Sequence, residues 1–459
     1  MLNNVYNLID LVPEEAAHVC LQLLAGGYSV HLVGGAIRDL ILGKPVGDFD
    51  VATSATPEQV TALFEKVVAT GIRHGTVTVN GAGGSSVEVT TYRTEGPYFD
   101  GRHPQHVEFV ATIEQDLRRR DFTVNALALS FPDGQLIDLY NGQADIKTKT
   151  IRAVGEPEAR FTEDGLRLLR ACRFCATLDF EIDISTRAGM ASARQALAPV
   201  SSERKRDELL KTLAAQRPSR AFFAARDTGL LEHFLPELQL CVGFEQNSWH
   251  EFDVFEHTMK VLDETTPDNV LLRLAALLHD IGKPATASGQ GAQRHFYNHE
   301  KKSAELAEQA LIRLKFPAAW VQQVVRLVNE HMWFYNANWS DAAVRRFIRR
   351  IGGQDQVEAT FALRRADIRG RGRKEIEESE LQLTAKFHER VVEQVQNNLV
   401  FSITDLSVNG RDVMDALQIG PGPTVGLALR WLLEEVENAP EKNQRETALE
   451  LIRNKFGRG

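Results

Sequence analysis

Apolar residues gather in short blocks at Ser29–Val33, Phe49–Thr53, Val77–Asn80, Ser86–Tyr92 and Leu127–Phe131, a strand-like pattern, with helical runs between them. From about Ile151 onward the strand signals nearly vanish, and apolar positions recur at helical spacing. Pro218, Pro236, Pro267, Gly282–Pro284, Pro317 and Gly352–Gly353 punctuate the helices. Gly420-Pro421-Gly422-Pro423 adds a sharp loop in the last segment. The pattern predicts an α+β chain: a small N-terminal α/β head, then a long all-α body.

The 459 residues suffice for roughly three domains of ~150 residues. The longest apolar run, Leu271–Leu278, is broken by Arg273 and is far too short to span a membrane. Met1–Glu14 contains no Lys or Arg and no apolar core of signal-peptide length, so a cytoplasmic protein without a membrane partner is expected. A net charge of −9 argues against a surface coated in nucleic acid, since that affinity comes from neutralising phosphates. Local basic tracks remain: Arg118–Arg120, Arg345–Arg346, Arg349–Arg350 and Arg364–Lys374. Of Cys20, Cys172, Cys175 and Cys241, only Cys172 and Cys175 form a Cys-x-x-Cys pair, and no second pair completes a zinc set. Their place in the helical run Leu168–Leu178 predicts core packing.

Three groups of residues carry candidate chemistry. Val33-Gly34-Gly35-Ala36-Ile37-Arg38-Asp39 reads as strand, glycine turn, helix, where backbone can approach a triphosphate at a helix N-terminus. A plain tight turn uses the same glycines. Asp48-Phe49-Asp50-Val51 is strand-like, placing two carboxylates on one side, where they could hold Mg²⁺ against a nucleotide. Glu88, flanked by Val87 and Val89, is either a further carboxylate of that site or an ordinary exposed strand residue. Asp164 and Arg167 are three apart in a helical run, an acceptor beside a donor. Cytosine and adenine both offer an exocyclic amine beside an acceptor nitrogen, and uracil and guanine offer the reverse. The pair either selects C and A or is a surface ion pair. In the body, His257, the adjacent His279-Asp280 and Asp367 form a spread set of metal ligands, with His299 and His331 available for a second ion or a phosphate.

Leu32 to Asp39, followed by Gly47-Asp48-Phe49-Asp50-Val51-Ala52-Thr53, resembles the first motif of the class II tRNA nucleotidyltransferase and poly(A) polymerase family, within the DNA polymerase β superfamily. Arg119-Arg120-Asp121-Phe122-Thr123-Val124-Asn125-Ala126 resembles the second motif, in which Asp121 and Asn125 face the ribose. Asp133-Gly134 with Leu136–Leu139 resembles the third, and Glu163 to Arg170 the fourth. Ser202, Arg206 and Lys211 resemble the fifth less distinctly. Arg93 to Pro104, with Arg93, Asp100 and Arg102, resembles the flexible loop of members that add A.

The resemblance implies Mg²⁺-dependent addition of CCA to the 3′ end of tRNA from CTP and ATP. An A-adding enzyme and a poly(A) polymerase share the same head motifs. The implied catalytic residues are Asp48, Asp50 and Glu88. Gly34, Gly35, Arg38, Arg119, Arg120, Asp121, Asn125, Asp164, Arg167 and Arg170 are the implied nucleotide-binding set. The body resembles the HD phosphohydrolase superfamily, which makes His257, His279, Asp280 and Asp367 ligands of a second divalent transition metal. A rival of another class is an HD-type phosphodiesterase or phosphatase whose head only binds tRNA. The expected division is a head at 1–146, a helical neck at 147–245, an HD-like domain at 246–370 and a tRNA-binding tail at 371–459. Oligomeric state is not legible in the sequence.

Overall fold

The computed structural model describes residues 8–80, 86–95, 107–396 and 402–457. It divides into two compact units, 1–236 and 237–459. All five sequence-predicted strands are present: β1 (Val30–Val33), β2 (Asp50–Thr53), β4 (Thr76–Asn80), β5 (Ser86–Thr91) and β8 (Leu127–Ser130). Two more, β3 (Val67–Gly71) and β9 (Leu136–Asp138), complete a seven-stranded sheet in the order β3-β4-β5-β2-β1-β8-β9. β6 (Arg93–Glu95) and β7 (Val107–Phe109) form a separate antiparallel ribbon.

Register brings the sequence motifs together. β1 runs antiparallel to β2, so the turn that ends β1 lies beside the start of β2, with Val33 opposite Asp50. β2 is parallel to β5, which puts Asp50 directly opposite Glu88. The strand begins at Asp50, so Asp48 belongs to the lead-in and not to the expected strand. Alternation along the strands buries Leu32, Val51, Val77, Val79, Val87 and Val89. Helix Leu166–Leu178 follows and buries ten of its thirteen residues. Cys172 and Cys175 are buried free thiols within it, as packing predicts. The body holds one strand pair that the sequence did not show, Thr150–Ile151 against Glu181–Ile182.

In the second unit, helices Val254–Asp263, His299–Arg313 and Val357–Gly370 carry His257, His299 and Asp367, and His279, Asp280 and His331 lie just past the ends of helices Val270–Leu278 and Ala318–Asn329. Asp253 and Asn269 cap helices Val254–Asp263 and Val270–Leu278, accepting from the amides of Glu256 (2.6 Å) and Leu272 (2.9 Å). Helices Asp341–Ile351 and Lys374–Gln396 enclose an aromatic core of Trp333, Tyr335, Phe347, Phe361 and Phe387. Three last helices, Gly410–Leu417, Pro423–Asn438 and Arg445–Phe456, pack round Val413, Leu432, Val436 and Ile452.

Candidate active and metal sites

In the first unit a cavity of about 840 Å³ is lined by Gly34, Gly35, Arg38, Asp50, Glu88, Arg93, Arg119, Arg120, Asp121, Asn125, Asp164, Arg167 and Arg170. Asp48 lines an adjoining hollow, and Asp50 and Glu88 face both. Asp100 and Arg102 lie outside the described residues. Gly34 has φ +77°, so the turn favours glycine for its conformation, and Arg120 Nη1 packs where a Cβ would lie. Its amide donates to the Leu127 carbonyl (3.1 Å) and is therefore spent within the fold.

The carboxylates suit a cation. Asp50 and Glu88 are aligned on adjacent strands, where like charges repel unless something lies between them. Asp50 is open to solvent on one side and walled by protein on the others. That enclosure, with Glu88 and Asp48, pushes its carboxyl up to about 6 against the pull of Arg120.

Asp121 and Asn125 meet as expected, though through a short 3₁₀ turn, Thr123–Asn125, rather than an α-helix. Asn125 Nδ2 donates to Asp121 Oδ1 (3.1 Å), and Arg170 Nε donates to Oδ2 (2.7 Å). Burial would raise the Asp121 carboxyl, but Arg170 and Asn125 outweigh it and hold it at about 2. Arg38 donates to Asn125 Oδ1.

Asp164 and Arg167 both face the cavity, but the expected pair on one helix is not what the chain forms. Asp164 is extended (φ −140°, ψ 104°) between helix Pro157–Glu163 and helix Leu166–Leu178. A Cβ on the next residue, Gly165, would collide with the Ala196 carbonyl, and this close approach fixes the bend. Asp164 takes a bidentate contact from Arg204 (3.2 and 2.8 Å). Arg167 bonds Glu163 (2.6 Å) and the carbonyls of Arg160 and Arg119. Nearness in sequence suggested that the two would contact each other, and tertiary partners override it.

Sequence reasoning missed three residues here. Asp116, 1 % exposed, holds Arg119 (2.9 Å) and Arg120 (3.1 Å). Arg204, and not Arg206, reaches the cavity, while Arg206 pairs with Asp207. Phe174 lies under the guanidinium groups of Arg38, Arg170 and Arg173 at 5.5, 5.4 and 4.1 Å.

The second unit holds a separate cluster. His257 and His279 bring their Nε2 atoms to 3.3 Å of each other. Both face Asp280 Oδ2, at 3.3 and 3.1 Å, and His257 also lies 3.3 Å from Asp367 Oδ1. His299 and His331 face the other oxygen, Asp280 Oδ1, at 3.4 and 3.7 Å. His279, His299 and His331 each place Nδ1 at 2.6–2.8 Å from the carbonyl three residues earlier. With Nδ1–H donating there, each Nε2 lone pair turns toward Asp280. Asp280 is 1 % exposed, with Lys283 Nζ 2.7 Å from Oδ2 and histidine Nε2 atoms ranged round both oxygens. Converging lone pairs round a buried carboxylate fit one or two divalent cations.

Lys283 (2.7 Å) pairs with Asp280, and Arg364 (3.0 Å) and Arg371 (2.8 Å) pair with Asp367 Oδ2. Burial would raise both carboxyls, but His279 and Lys283 hold Asp280 well below the usual range. Arg371, His257 and Arg364 do the same for Asp367. The adjacent His-Asp signal led to the core of this cluster, and Arg364 and Arg371 belong to a basic track legible in the sequence, but nothing in the spacing showed that they and Lys283 would face its carboxylates.

Family models match three stretches: a Poly A polymerase head domain at residues 30–152, a probable RNA and SrmB-binding site of polymerase A at 179–241, and an HD domain at 250–369. Nucleotidyltransferase and HD domains both imply divalent metal use. The CCA-adding enzyme of Lactobacillus helveticus is 43 % identical over 256 residues, covering 52 % of this chain and 64 % of that protein. The match thus spans less than two thirds of the curated relative's own length. The structure of the Bacillus stearothermophilus CCA-adding enzyme in complex with CTP is similar over 96 % of this chain and 97 % of that one, at 28 % identity and a TM-score of 0.72. The Thermotoga maritima CCA-adding enzyme complexed with tRNA shares the fold at 19 % identity, with a TM-score of 0.59 and coverage of 98 % of each chain. Among the described residues no helix is long and apolar enough to cross a membrane.

Proposed function

We propose, for a chain that belongs to the class II tRNA nucleotidyltransferase and poly(A) polymerase family, that it adds CCA to the 3′ end of tRNA from CTP and ATP. The observation that carries this is one cavity in which paired carboxylates, arginines and an acceptor–donor set all face the same space. In this reading Asp48, Asp50 and Glu88 hold Mg²⁺, which when bound activates the attacking 3′-hydroxyl and stabilises the pyrophosphate leaving group. Arg38, Arg119 and Arg120 orient the triphosphate beside the turn at Gly34 and Gly35. Asp121 and Asn125 bond the ribose, and Arg170 keeps Asp121 ionised and in place. Asp164 accepts from the exocyclic amine of C or A, and Arg167 donates to the neighbouring ring nitrogen. Asp100 and Arg102, with Arg93, complete the loop that serves the switch to ATP. On this reading the protein acts in the cytoplasm.

A second activity is favoured by the histidine cluster: hydrolysis of a phosphate ester at a divalent transition metal held by His257, His279, Asp280 and Asp367. His299 and His331 are arranged for a second ion or for the phosphate itself.

The test is to offer tRNA ending at the discriminator base, at C and at CC with CTP or ATP, then sequence the products. CCA ends are expected. Addition of A alone to the CC-ended tRNA, or long A tails, would replace the proposal with an A-adding enzyme or a poly(A) polymerase.

A further inference from the structure

One face of the head sheet changes character halfway across. On β8, β1 and β2 it is apolar, and Ala128, Val33 and Ala52 pack under Ile113 and Leu117 of helix Ile113–Arg118. Register carries the same face from Val33 through Asp50 and Glu88 to Thr78, and, two residues further along, from Ala52 through Thr90 to Thr76. There it is hydroxylic. Thr76 and Thr90 place their Oγ1 atoms 3.0 Å apart, and Thr70 and Thr78 place theirs 2.9 Å apart. Strands β3, β4 and β5 carry no lysine or arginine, and Glu88 is their one charged residue.

Paired threonines stabilise a sheet wherever they occur, so the pairs by themselves mark nothing. Their position does. Thr76 and Thr90 line the head cavity together with Glu88, whereas Thr78 lines the adjoining hollow. The charged residues lining that hollow are Asp39, Asp48, Asp50 and Glu88, all acidic. An RNA strand is repelled there and admitted on the side that also holds arginines. Those arginines belong to other elements than β4 and β5. A triphosphate, with the denser charge, takes them. Beside the carboxylates the Thr76–Thr90 pair is left for the RNA end. In such a pair one hydroxyl hydrogen is spent between the partners. The other hydrogen and several lone pairs match a ribose 2′-hydroxyl, which both donates and accepts.

We propose that Thr76 and Thr90 seat the last ribose of the RNA by its 2′-hydroxyl and so bring its 3′-hydroxyl to Asp50 and Glu88. This rests on the nucleotidyl-transfer reading of the head. A neutral seat suits an addition that repeats. Each new end takes the place of the one before it, and hydroxyl bonds let go more readily than the charge-assisted bonds of an arginine.

Two tRNAs ending at the first C, one with ribose and one with 2′-deoxyribose at that C, test the seat when each is extended with CTP. The unsubstituted protein should show a KM for the deoxy-ended tRNA about tenfold higher, with the KM for CTP within about twofold, as the loss of one hydrogen bond predicts. Valine keeps the shape and strand preference of threonine, so Thr76→Val and Thr90→Val should melt within about 2 °C of the parent. Each should raise the KM of the ribose-ended tRNA to that of the deoxy-ended one, and leave the latter as it was. Thr90→Ser should restore the difference. Equal use of the two ends by the unsubstituted protein would overturn the seat. So would valine variants that slow both ends equally, or that raise the KM for CTP instead. A loss of discrimination confined to Thr78→Val would move the ribose to the acidic hollow and overturn it as well. If the unsubstituted protein extends neither tRNA, the nucleotidyl-transfer reading itself falls.

Discussion

Asp164 lines the head cavity with both carboxylate oxygens engaged by Arg204, so on the proposed reading an incoming base displaces an ion pair before it is read. A base with an exocyclic amine replaces what it breaks, and a base with a carbonyl leaves Asp164 facing another acceptor. Unmade hydrogen bonds of this kind cost ~1–3 kcal/mol each, roughly a tenfold to hundredfold preference. Arg167→Ala and Asp164→Ala should therefore raise misincorporation of UTP or GTP as well as slow CTP and ATP addition. If both variants slow addition but still reject UTP and GTP strictly, the pair is structural. Arg204→Ala should free Asp164 and lower the KM for CTP and ATP while eroding selectivity. Asp50 gives a pH signature. Its carboxyl, pushed up to about 6, is protonated below that pH, and a metal binds only the ionised form. Apparent Mg²⁺ affinity in single-nucleotide addition should fall about tenfold per pH unit below 6 and stay flat from 7 to 8. A flat profile down to pH 5 would remove Asp50 from the metal.

Helix Ile113–Arg118 spans six residues, yet its buried Asp116 anchors the two arginines that open the second motif. Burial would raise this carboxyl, and Arg119 and Arg120 pull it below the ordinary range. Asp116→Ala should raise the KM for both nucleotides by about tenfold or more and destabilise the fold by roughly 2 kcal/mol, since it strands partly buried guanidinium groups. Asp116→Asn should recover the stability more than the KM. Unchanged kinetics in both variants would show that the arginines hold their places without it. Sequence showed the arginines and not their anchor, because Asp116 lies three and four residues before them and looks like an ordinary helical ion pair. Similar limits hid two strands of the seven-stranded sheet. β3 is mostly exposed, with one central run of three open positions, so it offers no apolar alternation. β9 is only three residues long. The five strands with buried alternate faces were legible, and so was the glycine turn they position. Arg204 was not, because its contact with Asp164 closes over forty residues of chain.

Each of the two compact units carries its own polar site, one built at the ends of central strands β1, β2 and β5 with the segments that follow them, the other from the helices of the second unit and their ends. Nothing in the histidine cluster draws on the nucleotide residues, so His279→Ala should abolish metal-stimulated phosphate-ester hydrolysis and spare CCA addition. Stripping the transition metal by chelation should lower one unfolding transition by about 5–10 °C, the shift expected when ligand at about 100 times its Kd is withdrawn from a unit of this size. A transition that does not move under scanning calorimetry would mean that the cluster is stable without a metal. Charge makes the whole chain uneven in a further way. Seven arginines and four carboxylates line the head cavity, in a protein whose net charge is −9. The remainder of the chain is therefore more acidic than its net charge suggests. A polyanion is repelled from most directions and drawn toward a few concave places, where low-dielectric walls concentrate the field. On the proposed reading, repulsion then serves as a filter, and a narrow 3′ terminus is expected to be the part of an RNA best able to enter.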